Sequence, residues 1–139
     1  MPSGIREERD LANKLHQYGF AVIRSPASGG ATKMPRPDII AGSKKRRKWF
    51  AFEVKTTRLK SIHISKDSFH QLIDFSKIFG CYAVFALKFK QQNKFWLFIK
   101  PIDLIPSKKG NYNISLKEAL LKGMDFSELI GEGQQTKLS

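Results

Sequence analysis

Two short apolar runs joined by a cationic turn constrain the fold of this chain most strongly. The first covers residues 37–42 and begins at Pro37, and the second covers about residues 49–57. Each has the length and the β-branched or aromatic content of a short strand bounded by turn residues. If the two runs pair as an antiparallel hairpin, Asp38 lies beside Glu53 at the end of a sheet.

Two charged residues interrupt the second run. Because side chains alternate along a strand, Glu53 and Lys55 point to one face while Phe52 and Val54 point to the other. Together with Asp38 they would gather two carboxylates and one ammonium at one place. Carboxylate oxygens bind divalent metals, and an ammonium can hold a nucleophile or the charge that develops on a phosphate.

The same charges have a simpler explanation. An antiparallel sheet with one solvated face carries polar residues on that face. A Glu-x-Lys tripeptide is common, so Glu53 and Lys55 alone favour the solvated face. The Pro37–Asp38 pair upstream, on a strongly basic chain, favours a functional site instead.

Charge indicates the kind of partner. The 139-residue chain has a net charge of +13, which on so small a domain indicates a polyanion. Nucleic acid is the first candidate and an anionic membrane surface the second, although no basic amphipathic helix supports a membrane. With 41% hydrophobic residues, the chain is expected to form one domain over residues 1–130, followed by a polar, flexible tail over 131–139.

Cysteine content and hydropathy indicate the compartment. Cys81 is a single cysteine and cannot form an internal disulfide, which fits a reducing interior. No apolar stretch approaches the ~20 residues of a membrane span, and the first residues lack the apolar region of a signal peptide. We therefore expect no membrane partner and an intracellular, cytoplasmic, nucleoid-associated protein.

Periodicity and cap residues predict the remaining elements. A first helix over residues 4–18 carries Glu7 and Glu8 in its first turn, where the helix dipole favours anions. From this helix alone, Glu8 is ordinary dipole compensation and Arg9 a solvated charge. Further predictions are a strand over 20–24, a functional or disordered loop over 25–36, a second helix from the Ser65 cap to Phe79, strands over 81–89 and 95–99, and short helices after the caps Ser115 and Asp125.

Several cations are candidates for DNA contact. A run of five occupies the turn between the two apolar runs, namely Lys44, Lys45, Arg46, Arg47 and Lys48. Such a run is often a solvated surface or a localisation signal, but at a hairpin tip beside a phosphate-chemistry site nucleic-acid contact is favoured. The other candidates are Lys33, Arg36, Arg58 and Lys60.

The second helix has a wide apolar stripe, which includes Phe69, Leu72, Phe75 and Phe79. Two interpretations stay open from the residues alone. The whole stripe belongs to the core, or part of it faces a second subunit.

The pattern of acidic residues and lysine resembles the PD-(D/E)xK nuclease superfamily, and more narrowly the archaeal Holliday junction resolvase (Hjc) family. The segments that carry the resemblance are Glu8-Arg9, residues 19–24, 25–29, 37–41, 53–55 and 72–75. It implies a central mixed β-sheet flanked by helices, of the restriction-endonuclease-like α/β class. It also implies Mg²⁺-dependent endonuclease activity on four-way DNA junctions, with Mn²⁺ substituting, and a homodimer whose second helix contributes to the interface.

The resemblance implies roles for individual residues. Asp38 and Glu53 look like direct metal ligands with the Val54 carbonyl, and Glu8 like a third acidic residue that reaches the metal through water. Lys55 looks like the catalytic lysine. The positions that match family residues needed for cleavage or substrate contact are Arg9, Arg24 and Ser28. One departure is Ser68, where relatives often have a glutamine near the start of the second helix.

Two rival functions remain on the sequence. One is a nuclease of the same fold that acts on flaps or mismatched duplex. The other is a non-catalytic DNA-binding protein, which has no use for Glu8, Asp38 and Glu53 gathered beside phosphates. In the tail, Gln135 and Leu138 resemble the start of a sliding-clamp peptide, although the aromatic pair of such peptides is missing.

Overall fold

The computed structural model describes residues 4–26 and 34–131. The helices are α1 (Ile5–Gln17), α2 (Lys66–Phe79), α3 (Leu116–Lys122) and α4 (Phe126–Ile130), with a short 3-10 helix over Pro101–Asp103. The strands are β1 (Ala21–Arg24), β2 (Ile39–Ser43), β3 (Lys48–Thr57), β4 (Ser61–Ile64), β5 (Tyr82–Phe89), β6 (Leu97–Ile99) and β7 (Tyr112–Ser115). The predicted flexible tail beyond residue 131 lies outside the described residues.

A mixed sheet with the strand order β1-β2-β3-β5-β6 forms the centre of the fold. The predicted hairpin is the antiparallel β2–β3 pair, in which Ile39 faces Phe52. β3 and β5 run parallel, so the chain has to cross over between them. α2 lies in this crossover, which confirms the predicted central mixed sheet flanked by helices.

Each face of the sheet is covered by its own apolar layer. Leu11 and Leu15 of α1 pack against Phe52 and Phe98 on one face, together with residues of α4. The other face is covered by α2, α3 and a second, two-stranded sheet formed by β4 and β7. Burial on both faces explains why β5 is almost entirely apolar.

The predicted caps form as hydrogen bonds. The Ser115 hydroxyl accepts from the Glu118 backbone N–H at 3.1 Å, and Asp125 accepts from the Glu128 N–H at 2.8 Å. Both helices have complete capping boxes, a device that stabilises a helix by about 1 kcal/mol. Gly19 and Gly80 follow α1 and α2 with positive φ, as expected for residues that end a helix.

Strands β4 and β7 were not predicted. Each has only four residues with two buried side chains, and their partners are about fifty positions apart, as His63 and Asn113 show. A pattern this short does not distinguish a strand from a loop without its partner.

Two of the four α2 residues that were predicted to contact a second subunit are buried within their own subunit. Phe69 and Leu72 are only 8% and 3% exposed and belong to the core of their own subunit. Phe69 stacks on Tyr112 at a centroid distance of 4.1 Å, so β7 covers the start of the helix. The apolar surface left open is at the end of α2, where Phe79 and Ile78 are 57% and 89% exposed.

Among the described helices, none combines the length and hydropathy that a membrane span requires.

Candidate active site

The β2–β3 pairing places Asp38 at the open end of the hairpin, opposite the turn that connects the two strands. The backbone N–H of Asp38 donates to the Phe52 carbonyl at 2.9 Å, and its Oδ2 accepts from the Val54 backbone N–H at 2.7 Å. These two bonds clamp the aspartate across β3 beside Glu53. We call the region of Asp38, Glu53 and Lys55 the carboxylate edge.

Glu53 and Lys55 lie on the same face of β3, as their alternation predicts. The Lys55 Nζ is 3.5 Å from the Glu53 Oε2. The lysine side chain remains about one-third exposed, while that of Glu53 is less so. Lys55 can therefore reach a ligand outside the protein while it remains beside the acidic pair.

The pKa values of Asp38 and Glu53 depend on each other. Burial, followed by the charge of Asp38, raises the pKa of Glu53 to about 7. Burial also raises the pKa of Asp38, but the Val54 N–H, the Lys55 ammonium and the Glu53 side chain oppose that rise. Without a cation, Glu53 is therefore the carboxyl group of the pair that is more readily protonated.

Glu8 approaches this pair from α1. Its pKa is raised, first by burial and then by the charge of Asp38, and is lowered in part by Arg24. The Arg24 Nε is 3.3 Å from the Glu8 Oε1, and its Nη2 donates to the Ile5 carbonyl at 3.3 Å. β1 thus supplies a guanidinium that holds the first turn of α1 beside the carboxylate edge.

The donor set fits a divalent cation. Within residues 4–26 and 34–131, no group of three or more His, Cys, Asp or Glu side chains is close enough to form a metal cluster. Two half-buried carboxyl groups whose pKa values are both raised are nevertheless a site where a cation would stabilise the ionised forms directly. Glu8 is near enough to Asp38 for the charges of the two groups to interact.

Glu53 makes the stability of the metal-free protein depend on pH. A folded pKa of about 7, above the ordinary 4.5, means that its contribution is complete below about pH 4.5 and is lost as pH rises through 7. In EDTA, wild type should therefore lose unfolding free energy relative to Glu53→Gln between pH 5 and pH 8. Urea unfolding of both proteins measures this difference, and parallel pH curves would contradict the prediction.

Sequence reasoning missed Ser25 as a positioning residue. Its backbone N–H donates to the Asp38 carbonyl at 2.9 Å, and its hydroxyl donates to the Pro37 carbonyl. These two hydrogen bonds therefore fix the backbone at Pro37 and Asp38. The only local signal was its position directly after β1.

The cationic turn does not lie beside the carboxylate edge. β2 and β3 pair from Ile39–Phe52 to Ser43–Lys48, so the turn is at the closed end of the hairpin, about 17 Å away at the rise of a strand. The Arg46 Nε donates to the Tyr18 carbonyl at 2.7 Å and so supports the end of α1. The prediction that this run adjoins the site is wrong.

The other predicted site residues lie at the carboxylate edge, elsewhere on the surface, in the α2 cap, or outside the described part of the chain. Arg58 and Lys60 are exposed after β3, at the carboxylate edge, and Arg9 and Arg36 are exposed as well. Ser68 donates its N–H to Ser65 as part of the α2 cap. Ser28 and Lys33 lie outside the described residues.

Comparison with known proteins matches nearly the whole chain. The family model described as "Archaeal holliday junction resolvase (hjc)" matches residues 2–138. A "Crossover junction endodeoxyribonuclease Hjc" of Methanocaldococcus jannaschii is 39% identical over 131 residues, 94% of this chain and 89% of the relative. The protein of the same name from Archaeoglobus fulgidus is 36% identical over 136 residues, 93% of this chain and 96% of the relative.

A solved structure supports the same comparison at the level of the fold. It is described as a 1.6 Å structure of Archaeoglobus fulgidus Hjc, "a Holliday junction resolvase from an archaeal hyperthermophile". Its TM-score to this chain is 0.81 at 34% sequence identity, and the match covers 91% of this chain and 99% of the other.

Proposed function

Because the chain belongs to the archaeal Holliday junction resolvase family, we propose that it is a structure-selective, metal-dependent endonuclease that resolves four-way DNA junctions by paired incision. The observation that carries this proposal is the carboxylate edge, where Asp38 and Glu53 lie on neighbouring strands beside Lys55. A protein that only binds DNA gains nothing from two acidic groups held beside phosphates, since they repel the backbone.

The residues divide the chemistry among themselves. Asp38 and Glu53 hold a divalent cation, with the Val54 carbonyl as a further oxygen and Glu8 acting through water. We propose Mg²⁺, with Mn²⁺ able to substitute. When bound, such a cation supplies Lewis-acid activation of water and of the scissile phosphate. Lys55 places its ammonium against the charge that develops on that phosphate.

Two arginines orient the substrate in this proposal. Arg24 is already held by Glu8 and the Ile5 carbonyl, and its side chain remains about one-third exposed, so its other N–H groups are available for a phosphate. Arg9 directly follows Glu8 in α1 and is exposed. Guanidinium groups bind phosphate oxygens through paired hydrogen bonds. Ser28 is assigned to the same task from the family resemblance.

A substrate comparison tests the proposed function. The protein is incubated with Mg²⁺ and a four-way junction, a flap or a plain duplex of the same sequence. We expect symmetric nicks in two opposed strands of the junction and slow cutting of the other two substrates. Equal cutting of the flap would favour the rival nuclease, and binding without cleavage of any substrate would favour the non-catalytic protein.

The closed end of the β2–β3 hairpin is proposed to bind a junction arm away from the cut. At about 17 Å from the carboxylate edge, the turn lies about five base pairs along a duplex. Lys44, Lys45 and Arg47 are exposed there, while Arg46 supports α1.

Neutralising Lys44, Lys45 and Arg47 together, with Arg46 kept, should weaken junction binding. The slope of log K against log salt should become shallower by ~0.9 for each DNA phosphate that these cations neutralise in the wild type. Fluorescence anisotropy over a salt series measures it. Neutralising Lys108, Lys109 and Lys117, three exposed cations elsewhere on the surface, is the matched control. Equal slopes for wild type and the triple variant would show that the turn is only solvated.

We propose a homodimer held by the end of α2. Phe79 is exposed and stacks on the half-buried Phe75, with ring centroids 5.3 Å apart, and Ile78 extends the same surface. Two subunits related by a two-fold axis supply two identical sites for paired cuts. Phe69 and Leu72 support this surface from inside the subunit.

Phe79→Asp should convert the dimer into a folded monomer, because the side chain is exposed and its loss leaves the core intact. Sedimentation measures the mass, and circular dichroism confirms the fold. Leu121→Asp, at a similarly exposed apolar position on α3, is the control. On a plasmid-borne cruciform, the monomer should nick single strands and no longer linearise the plasmid. A dimer that survives the substitution would place the interface elsewhere.

The substrate also suggests where the protein acts. Recombining DNA is the family's substrate, so we place the enzyme in the cytoplasm with the nucleoid. Contact with a sliding clamp through Gln135 and Leu138 stays a prediction, because both residues lie outside the described part of the chain.

A further inference from the structure

Two neighbouring turns extend the sheet beyond the carboxylate edge. The first, over residues 58–60, connects β3 to β4, and the second, over residues 90–96, connects β5 to β6. Because β3 and β5 are parallel, with Lys55 opposite Leu87 and Thr57 opposite Phe89, both turns leave the sheet at the same end. That end is the one that carries Lys55.

Hydrogen bonds join the two turns to each other. The Lys90 N–H donates to the Thr57 carbonyl at 2.7 Å, and the Gln92 side-chain amide donates to the Arg58 carbonyl at 3.3 Å. Within the second turn, the Asn93 side-chain amide donates to the Phe95 carbonyl. The turns therefore form one joined surface, which we call the paired turns.

Each of the paired turns exposes one large apolar side chain among cations. Leu59 is 72% exposed between Arg58 and Lys60, and Phe95 is 70% exposed directly after Lys94. Packing within the subunit therefore does not explain why these two positions carry large apolar side chains. The cations favour a polyanionic occupant over an apolar protein surface.

The position of Phe95 relative to the chemistry is fixed by strand pairing. Lys55 pairs with Leu87, and Leu87 pairs with Leu97, two residues after Phe95. Two strand spacings across the sheet (~10 Å) and two residues along the chain (~7 Å) separate the backbones of Lys55 and Phe95 by about 12 Å, which corresponds to about three to four base-pair rises. Apolar side chains of DNA-binding proteins can insert between base steps, at a cost in stacking that is smaller where the bases are already unstacked.

We infer that Phe95 and Leu59 contact the unstacked base pairs at the branch point of the junction, while the cations of the paired turns hold the adjoining phosphates. This inference rests on the proposed function and adds the residues that distinguish a junction from a duplex. A continuous duplex offers no open step without a cost in stacking, whereas a branch point offers one. The paired turns thus bind the branch and set the distance to the cut.

Phe95→Ala tests the inference in EDTA, where no cleavage occurs. The readouts are affinity for a four-way junction, affinity for a plain duplex, and the fluorescence of 2-aminopurine placed either at the branch point or within an arm. We expect the ratio of junction to duplex affinity to fall about tenfold, the range for loss of one base–aromatic stack. Duplex affinity should stay unchanged, and the branch-point signal should be lost.

Controls separate base contact from other causes. Phe95→Trp keeps a flat ring and should retain the ratio, whereas Leu59→Ala should lower it. Ile105→Ala removes an equally exposed apolar side chain, 69% exposed, beyond the opposite end of β6 and should change nothing. Sedimentation and thermal melting of each variant report assembly and folding.

The outcomes distinguish this inference from the proposed function. An unchanged affinity ratio in Phe95→Ala, from a wild type that prefers junctions, overturns the inference alone. Equal loss of junction and duplex binding also overturns the inference and indicates that the surface binds phosphates. Loss of the dimer overturns it as well and indicates that the surface contacts a second copy of the chain. A wild type with no preference for junctions overturns both.

Discussion

Asp38→Asn should reduce junction cleavage by about 10³-fold or more and leave junction binding intact. The asparagine Oδ1 can still accept from the Val54 N–H, the 2.7 Å bond that fixes this side chain. What is lost is one of the two negative charges that hold the cation. Phosphate attraction does not weaken, because the change removes an anion.

Single-turnover cleavage with saturating protein measures this effect separately from binding. Asp74→Asn, at an exposed position on α2, removes the same charge away from the carboxylate edge and should cut at the wild-type rate. A second measurement is the affinity for the cation itself. Because Asp38→Asn removes one of the two carboxylates that hold the cation, calcium titration in the absence of cleavage should show weaker binding by this variant. Cutting at a wild-type rate by this variant would remove the proposed site.

Lys55→Met should lower the cleavage rate by about 10²-fold or more, the effect of removing one preorganised electrostatic group. The ammonium lies 3.5 Å from the Glu53 carboxylate and remains partly exposed, so it can contact both the acidic pair and a phosphate that binds there. Methionine keeps the length and the apolar stem of the side chain. Folding should therefore be preserved, and the loss should appear in the rate at saturating protein.

Two control variants make the lysine experiment decisive. Lys77→Met changes an exposed lysine on α2 and should cleave normally. Lys55→Arg keeps the positive charge and should therefore recover part of the lost rate. Recovery should be incomplete because a guanidinium is larger and flatter than an ammonium. If Lys55→Met weakened junction binding and left the rate at saturation unchanged, the lysine would be only a phosphate contact.

Local sequence patterns determined the central part of the site. Alternation along residues 49–57 put Glu53 and Lys55 on one face, and the antiparallel pairing of two short apolar runs put Asp38 beside them. Both follow from geometry that acts over neighbouring residues and a single turn. The capping boxes at Ser115 and Asp125 are local for the same reason.

The position of the cationic turn was also within reach of the sequence. A hairpin has its turn at one end and its free ends at the other. Since Asp38 and Glu53 belong to the free ends, residues 44–48 had to lie at the opposite end of the hairpin. The prediction failed because proximity along the chain was taken for proximity in space.

Long-range packing alone decided the rest. Glu8 and Arg24 meet beside Asp38 because α1 packs on one face of the sheet and β1 pairs with β2, and no local pattern states which turn of a helix will face a given strand end. Likewise, the pairing of β4 with β7 covers Phe69 and Leu72 and leaves Phe79 open. An apolar stripe shows that a helix has to be covered. Which residues its own subunit covers depends on contacts between segments about forty or more positions apart, such as Phe69 and Tyr112, and these exist only in the folded chain.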